Sequence, residues 1–129
     1  MEDRMILIIG GRACGKEEYA QQLTGLMPVP CTPAEALSQR VIADLQETLR
    51  QLIAGEQSVE LFITRLLLEN PDAVVLCDEV GMGIVPLDAK DRVWRESVGH
   101  ACTELAKHAE TVTRVVCGIP VLIKPRRIH

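Results

Sequence analysis

The chain has 129 residues, of which 47% are hydrophobic and 25% are charged, and its formal net charge is -4. This length suits a single domain with a hydrophobic core, which we predict to span residues 1–129. The acidic balance and an aromatic content of 2% leave no basic, base-stacking surface, so we expect no nucleic-acid binding.

The predicted location is the cytoplasm. No apolar run is long enough for a membrane span, and the charged start followed by a short strand is not typical of a secretion signal. The five cysteines are scattered without a Cys-x-x-Cys pair, which indicates small buried side chains in a reducing compartment and disfavours a zinc site.

An apolar run over residues 5–9 leads directly into a glycine-rich loop. The loop reads Gly10-Gly11-Arg12-Ala13-Cys14-Gly15-Lys16. This spacing is typical of a phosphate-binding loop between a buried strand and a helix. Glycines allow backbone amides to approach phosphate oxygens closely, and the lysine reaches the outer phosphates. The alternative is a glycine-rich turn that binds no ligand.

Three side chains in and after this loop have open roles. Glu17 occupies the position that normally supplies a hydroxyl group to magnesium. Its carboxylate either competes for the positive end of the helix and repels an incoming phosphate, or ligates magnesium directly. Arg12 either contacts phosphate or is solvated. Cys14 either fills the loop or is a reactive thiol, because it lies beside Lys16 and a helix N-terminus.

Two helices are predicted between residues 32 and 70. Thr32-Pro33-Ala34-Glu35 has the pattern of a capping box, which predicts a helix of about twenty residues that ends at Gly55. Ser58 is expected to cap the second helix, which Asn70-Pro71 ends. The prolines in residues 27–31 restrict that preceding segment to a short edge strand.

A second apolar run over residues 73–77 predicts a strand that is covered on both faces. It ends in Asp78-Glu79, and acids at the carboxyl end of a buried strand lie where ligands bind in open α/β sheets. A glycine-containing loop over residues 80–86 follows.

The last third of the chain predicts one helix and two strands. The helix is capped by Asp88 and carries Trp94 on its apolar face. Gly118 separates the strands, and Pro120 places the final one at a sheet edge. The element order predicts an α/β fold, a three-layer P-loop NTPase-like domain with a mostly parallel sheet. The phosphate loop and the acid pair should then share one cleft.

Several short motifs occur together in one known family. They are the sequence Cys-Asp-Glu-Val-Gly-Met-Gly-Ile-Val-Pro at 77–86, Arg-Val-Trp-Arg-Glu-Ser-Val-Gly at 92–99, Leu-Ala at 105–106, Val-Val-Cys-Gly-Ile-Pro at 115–120 and the opening Ile-Ile-Gly-Gly-x-x-x-Gly-Lys at 8–16. In this combination the chain resembles the adenosylcobinamide kinase / adenosylcobinamide-phosphate guanylyltransferase family of cobalamin synthesis.

The resemblance implies a nucleoside triphosphate, ATP or GTP with Mg2+, and a cobinamide intermediate as phosphoryl acceptor. It implies catalytic roles for Lys16, Asp78 and Glu79. Asp78, which stands where relatives usually have asparagine, would ligate magnesium, and Glu79 either orients a substrate hydroxyl or water or caps a loop. The implied nucleotide-binding residues are Gly10, Gly11, Arg12, Ala13, Cys14, Gly15, Lys16 and Glu17.

The chain also departs from the family's pattern. Family members transfer GMP through a guanylylated histidine that precedes the Glu-Val-Gly loop, whereas His100, His108 and His129 all follow it. We therefore predict that the guanylyltransferase step is absent. The strand and the Asp-Cys-Leu-Thr type segment that supply a magnesium-binding aspartate are also expected to be missing, replaced by the two predicted helices.

Two functional hypotheses follow. The first is a reduced family member that binds a nucleoside triphosphate and at most performs the kinase step. The second is a catalytically inactive homologue that acts as a binding or assembly partner in the cobalamin pathway. The retained Gly15-Lys16 pair and the acid loop favour the first, while Glu17 and the shortened middle favour the second. A homo-oligomer is compatible with both.

Overall fold

The computed structural model describes residues 4–79 and 88–126, so the predicted loop over 80–86 lies outside the described residues. The elements, in chain order, are β1 (Ile6–Gly10), α1 (Lys16–Thr24), β2 (Val29–Pro30), α2 (Pro33–Ala36), β3 (Val41–Ala43), α3 (Leu45–Ala54), α4 (Val59–Glu69), β4 (Val74–Asp78), α5 (Ala89–His108), β5 (Thr111–Val116) and β6 (Ile119–Lys124).

In this part of the chain, the strands form one six-stranded sheet with the order β2-β3-β4-β1-β5-β6. Neighbouring strands are parallel except for β5 and β6, which form an antiparallel hairpin. The predicted α/β class with a mostly parallel sheet is therefore confirmed. The two strands that contain proline, β2 and β6, lie at the edges, where the missing backbone donor disrupts no ladder.

Helices cover the two faces of the sheet unequally, and strand alternation decides which side chains meet them. Leu7 and Val75 pack with the helices α2, α3, α4 and α5 on one face, here called the α5 face. Ile8 and Leu76, their neighbours in sequence, pack with α1 on the other, here called the α1 face. Among residues 4–79 and 88–126, no helix has the length and apolar character of a membrane span.

The predicted boundaries of the helices are largely confirmed. The Thr32 hydroxyl group accepts a hydrogen bond from the Glu35 amide and the Glu35 carboxylate accepts one from the Thr32 amide, which completes the capping box. Ser58 caps α4, Asp88 caps α5, and Gly55 follows α3. These boundaries depend on contacts within a few residues, which explains why local patterns predict them.

The predicted twenty-residue helix after Thr32 is wrong. Helix α2 ends at Ala36, and the chain then enters the sheet as β3, between β2 and β4. Val41, Ile42 and Ala43 are all buried there. A short apolar run fits a buried strand as well as a helix. The open position between β2 and β4 makes this run a strand, and no local pattern reveals that position.

Asn70 ties the end of α4 to the segment that leads into β3. Its side-chain amide donates hydrogen bonds to the carbonyl oxygens of Ala36, at 2.9 Å, and Gln39, at 2.8 Å. These bonds cross more than thirty residues of sequence, so they hold the turn after α2 in the position from which β3 starts.

We predict that Asn70→Ala lowers the free energy of unfolding by about 1 to 3 kcal/mol, because two carbonyl oxygens lose their donor. Asn70→Asp should destabilise more than Asn70→Ala at neutral pH, since a carboxylate would then face the same two oxygens. Urea denaturation measures both, with Gln22→Ala on the exposed side of α1 as the control. Equal stability of Asn70→Asp and wild type would contradict this role.

Candidate functional site

The loop between β1 and α1 curls back over the end of β1. Ala13 and Gly15 have positive φ angles of 57° and 99°, a left-handed conformation that closes the turn. Gly15 is the N-cap of α1 and provides no side-chain cap, so the first-turn amides of the helix keep their donors for a ligand.

The hairpin of β5 and β6 supports this loop from outside. The amide of Gly118 donates to the carbonyl oxygen of Cys14 at 2.8 Å. A side chain at Gly15 would place its Cβ 3.1 Å from the Cα of Gly118, so the loop and the hairpin turn are packed backbone against backbone. Cys14 fills the inside of the turn, where its sulfur packs across Gly10.

Lys16 lies at the centre of the loop and is only 1% exposed. Its ammonium group donates to the carbonyl oxygens of Gly11, at 2.8 Å, and Gly10, at 3.3 Å. The carboxylate of Asp78 lies 2.8 Å from the same nitrogen. The sulfur of Cys14 is 3.8 Å away. The three principal contacts match the three N–H donors of an ammonium group.

The charged form of Lys16 is favoured despite its burial. Burial alone would lower the pKa of this ammonium group. The hydrogen bond and the charge of Asp78 outweigh that effect, with smaller contributions from Cys14 and Glu17, and the pKa is raised above its ordinary value of 10.5. Lys16 therefore remains a cation at any physiological pH.

The register of the sheet brings Asp78 to the glycine-rich loop. Strands β1 and β4 are parallel neighbours, and Gly10 is opposite Asp78. The amide of Glu79 continues this ladder by donating to the carbonyl oxygen of Gly10 at 2.8 Å. The loop and the acid pair thus share the carboxyl edge of the sheet, although Asp78 and Glu79 have different partners.

The expectation that two helices replace the strand in this region is wrong, because β3 is present and an aspartate, Asp44, follows it. This aspartate has a positive φ angle of 52°. Because β3 and β4 are parallel neighbours, Asp44 and Asp78 lie at the same edge of the sheet. A non-glycine residue in this left-handed conformation is uncommon and carries strain, a property that clusters at functional sites.

Gln46 links these two acids, and sequence analysis missed it. Its side-chain oxygen accepts a hydrogen bond from the amide of Asp78 at 2.9 Å, and its side-chain nitrogen donates to Asp44 at 3.4 Å. The indole of Trp94 donates to the backbone oxygen of Gln46 at 2.8 Å. Residues 41–44 are an apolar run that ends in an aspartate, as residues 74–78 are. This similarity could have indicated from sequence that the segment belongs to the site.

The donor set suits magnesium in part. Within the described ranges, no three or more His, Cys, Asp or Glu side chains form a group that could hold a metal ion. Magnesium, however, usually binds one or two carboxylates and takes its remaining ligands from water and substrate phosphate. Asp44 and Asp78 meet that lower requirement, whereas the sequence analysis considered Asp78 and Glu17 as ligands and did not include Asp44.

Glu79 is held by an arginine that sequence analysis did not identify. The guanidinium group of Arg114, on β5, donates to the two carboxylate oxygens of Glu79 at 2.6 Å and 3.0 Å. This bidentate pair raises the pKa of Arg114, mainly through the hydrogen bond and then through the charge of Glu79. No local pattern reveals this contact, because the two residues are 35 positions apart.

The other predicted site residues lie around the loop. Gly11, Arg12 and Ala13 are exposed, while Glu17 is partly buried at the start of α1. His100 and His108 are exposed and line a groove between α4 and α5 to which no residue of the glycine-rich loop contributes. His129 lies outside the described residues.

A protein-family model described as cobinamide kinase / cobinamide phosphate guanyltransferase matches residues 36–123. The matched range covers more than half of the chain and contains β3 with Asp44, β4 with its acid pair, and the β5–β6 hairpin. A comparison with curated proteins gives no match.

We predict that Lys16→Met lowers the free energy of unfolding by about 3 to 5 kcal/mol, because Asp78 loses the cation that balances its charge. Lys16→Met/Asp78→Asn should recover part of this loss. Lys107→Met, which removes an exposed pair with Glu104, is the control and should cost less than about 1 kcal/mol. Denaturant titration measures all three.

The pH dependence of this effect follows from the raised pKa of Lys16. A folded-state pKa above the unfolded value means that the stabilisation is complete below 10.5 and is lost as the pH rises through the folded-state value. The difference between wild type and Lys16→Met should therefore be constant from about pH 7 to pH 9. A difference that disappears within that range would contradict the assigned pair.

Proposed function

The chain belongs to the cobinamide kinase / cobinamide phosphate guanyltransferase family, whose members act in cobalamin biosynthesis, and we propose that it binds a nucleoside triphosphate at residues 10–17 and phosphorylates a cobinamide intermediate. The main support is the position of the Lys16 ammonium group, inside the glycine loop and 2.8 Å from Asp78. Phosphoryl transfer depends on positioning and on neutralising phosphate charge, and a lysine at a helix N-terminus supplies positive charge where phosphates bind.

In the proposed reaction, the hydroxyl oxygen of the acceptor bonds to the terminal phosphorus, and the bond from that phosphorus to the bridging oxygen breaks. The nucleoside diphosphate leaves with the bridging oxygen, and Glu79 accepts the hydroxyl proton. Lys16 and the amides of the loop stabilise the charge on the phosphate oxygens. Asp44 and Asp78 would hold magnesium, which neutralises charge on the phosphates when it is bound.

Lys16 must exchange a partner when phosphate binds. Its three donors already contact Gly10, Gly11 and Asp78. A phosphate oxygen replaces one of these acceptors. If that acceptor is Asp78, magnesium held by this carboxylate would balance its negative charge. Nucleotide binding should therefore depend strongly on magnesium.

The guanylyltransferase step is not part of the proposal. Neither histidine in the described ranges lies on the loop or at the carboxyl edge beside it, since His100 and His108 line the groove between α4 and α5. A guanylylated intermediate needs a nucleophile within reach of the nucleotide's α-phosphorus.

A second candidate function has its own supporting observation. Glu17 is partly buried one residue after Lys16, and the charge of Glu17 contributes to the raised pKa of that lysine. A carboxylate at this position repels a triphosphate. This arrangement favours a catalytically inactive homologue that acts as a binding or assembly partner in the same pathway.

A titration with ATP and with GTP, in the presence of Mg2+, tests the proposal. Trp94 is the only tryptophan and is hydrogen-bonded to Gln46 beside Asp44, so its fluorescence should report binding. Nucleotide at a hundred times its dissociation constant should raise the free energy of unfolding by about 2.7 kcal/mol, a rise of several degrees in melting temperature. Transfer of labelled terminal phosphate to cobinamide then tests the reaction.

Glu17→Ser separates the two candidate functions. We predict that it tightens nucleotide binding by about tenfold, because it removes the repelling charge and restores a hydroxyl group. Glu18→Ser, in the same helical turn but exposed, is the matched control and should leave the affinity within about twofold. Binding by Glu17→Ser but not by wild type would favour the inactive homologue. No binding by either protein at millimolar nucleotide would contradict the proposed function.

A further inference from the structure

Adjacent acids at the end of β4 point to opposite faces of the sheet. Asp78 contacts Lys16, at the start of the helix that covers the α1 face. Glu79 contacts Arg114, which alternation along β5 places on the α5 face together with Val112. The pKa of Cys102, on α5, agrees with this placement. The hydrogen bond with Cys77 lowers this pKa, while burial and the charge of Glu79 act to raise it, so Glu79 is near enough to α5 for its charge to act on Cys102.

Arg114 holds Glu79 in one orientation. Both carboxylate oxygens accept a bond from the guanidinium group, at 2.6 Å and 3.0 Å, and the Glu79 amide is bonded to Gly10. The side chain of Glu79 is 20% exposed, and that of Arg114 is 44% exposed. The pair is therefore preformed, and its outer side remains open to a ligand.

Arg114 has donors to spare. A guanidinium group carries five N–H donors, and the two bonds to Glu79 leave three. These donors suit a phosphate ester, because a planar guanidinium group forms paired hydrogen bonds with phosphate oxygens. The same group offsets the charge of Glu79, which would otherwise repel the ester.

We propose that Arg114 is a positioning and binding residue on the acceptor side of the site. It holds the Glu79 carboxylate toward the alcohol that is phosphorylated and binds the phosphate of the resulting ester. Acceptor and nucleotide then approach the carboxyl edge of β4 from opposite faces of the sheet and meet above it. This inference rests on the proposed function, because the proposed function identifies the acceptor as a corrinoid alcohol.

Equilibrium dialysis with cobinamide and with cobinamide phosphate, both followed by visible absorbance, tests the inference. Arg114→Gln should weaken binding of cobinamide phosphate by about ten- to hundredfold and that of cobinamide clearly less, since only the ester carries the charge. Arg114→Lys should keep part of the affinity for the ester. Nucleotide affinity, measured through Trp94, should remain within about twofold for both variants.

Arg65→Gln is the matched control, because Arg65 forms a comparable exposed pair with Glu69 on α4, at 2.7 Å and 3.4 Å. It should change none of the three affinities. Equal losses for the alcohol and its ester in Arg114→Gln, or a loss of nucleotide affinity, would overturn the inference.

The remaining outcomes separate the inference from the proposed function. Binding of nucleotide without either corrinoid would overturn the role of Arg114 and leave the phosphate loop in place. Corrinoid binding that depends on Arg114 in a protein that binds no nucleotide would support the inference and remove the kinase reaction. Absence of all binding would overturn both.

Discussion

The candidate site depends on one buried charge, the ammonium group of Lys16. An ammonium group that is only 1% exposed needs an acceptor for each of its donors, and the fold supplies the carbonyl oxygens of Gly10 and Gly11 together with the carboxylate of Asp78. This requirement accounts for the curled loop and for an acid at the end of β4. It also shows why the parallel register of β1 and β4 matters, because a shift of one residue would move Asp78 to the other face.

Around this charge, the carboxyl edge of the sheet collects groups from separate parts of the chain. Asp44 follows β3, and Gln46 connects it to the backbone of Asp78. Arg114, on β5, forms a hydrogen-bonded ion pair with Glu79. The register between neighbouring strands determines which residues of each strand lie at the carboxyl edge. Because side chains alternate along a strand, the edge has one side at the glycine-rich loop, where we propose that the nucleotide binds, and a second side beneath α5.

The proposed kinase step is one of the two activities that the description of the matching family model names. Positioning and charge neutralisation dominate phosphoryl transfer, and in the proposed function a lysine, two aspartates and a glycine loop would perform those tasks. Nucleotidyl transfer through a covalent intermediate needs a histidine beside the nucleotide, and His100 and His108 lie elsewhere. The unusual feature is Glu17, whose charge adds to an edge that already holds several acids.

Sequence alone determined the features that depend on neighbours in the chain. It predicted β1 with its loop, β4 with its acid pair, the caps at Thr32, Ser58 and Asp88, and the proline-containing edge strands, since these arise from apolar runs, spacing and contacts within one helical turn. Tertiary structure decided the rest. Residues 41–43 became β3 because a slot between β2 and β4 buried them, although their spacing also suits a helix. The roles of Gln46 and Arg114 rest on partners 32 and 35 residues away, and only the packed sheet brings such distant groups within hydrogen-bonding distance.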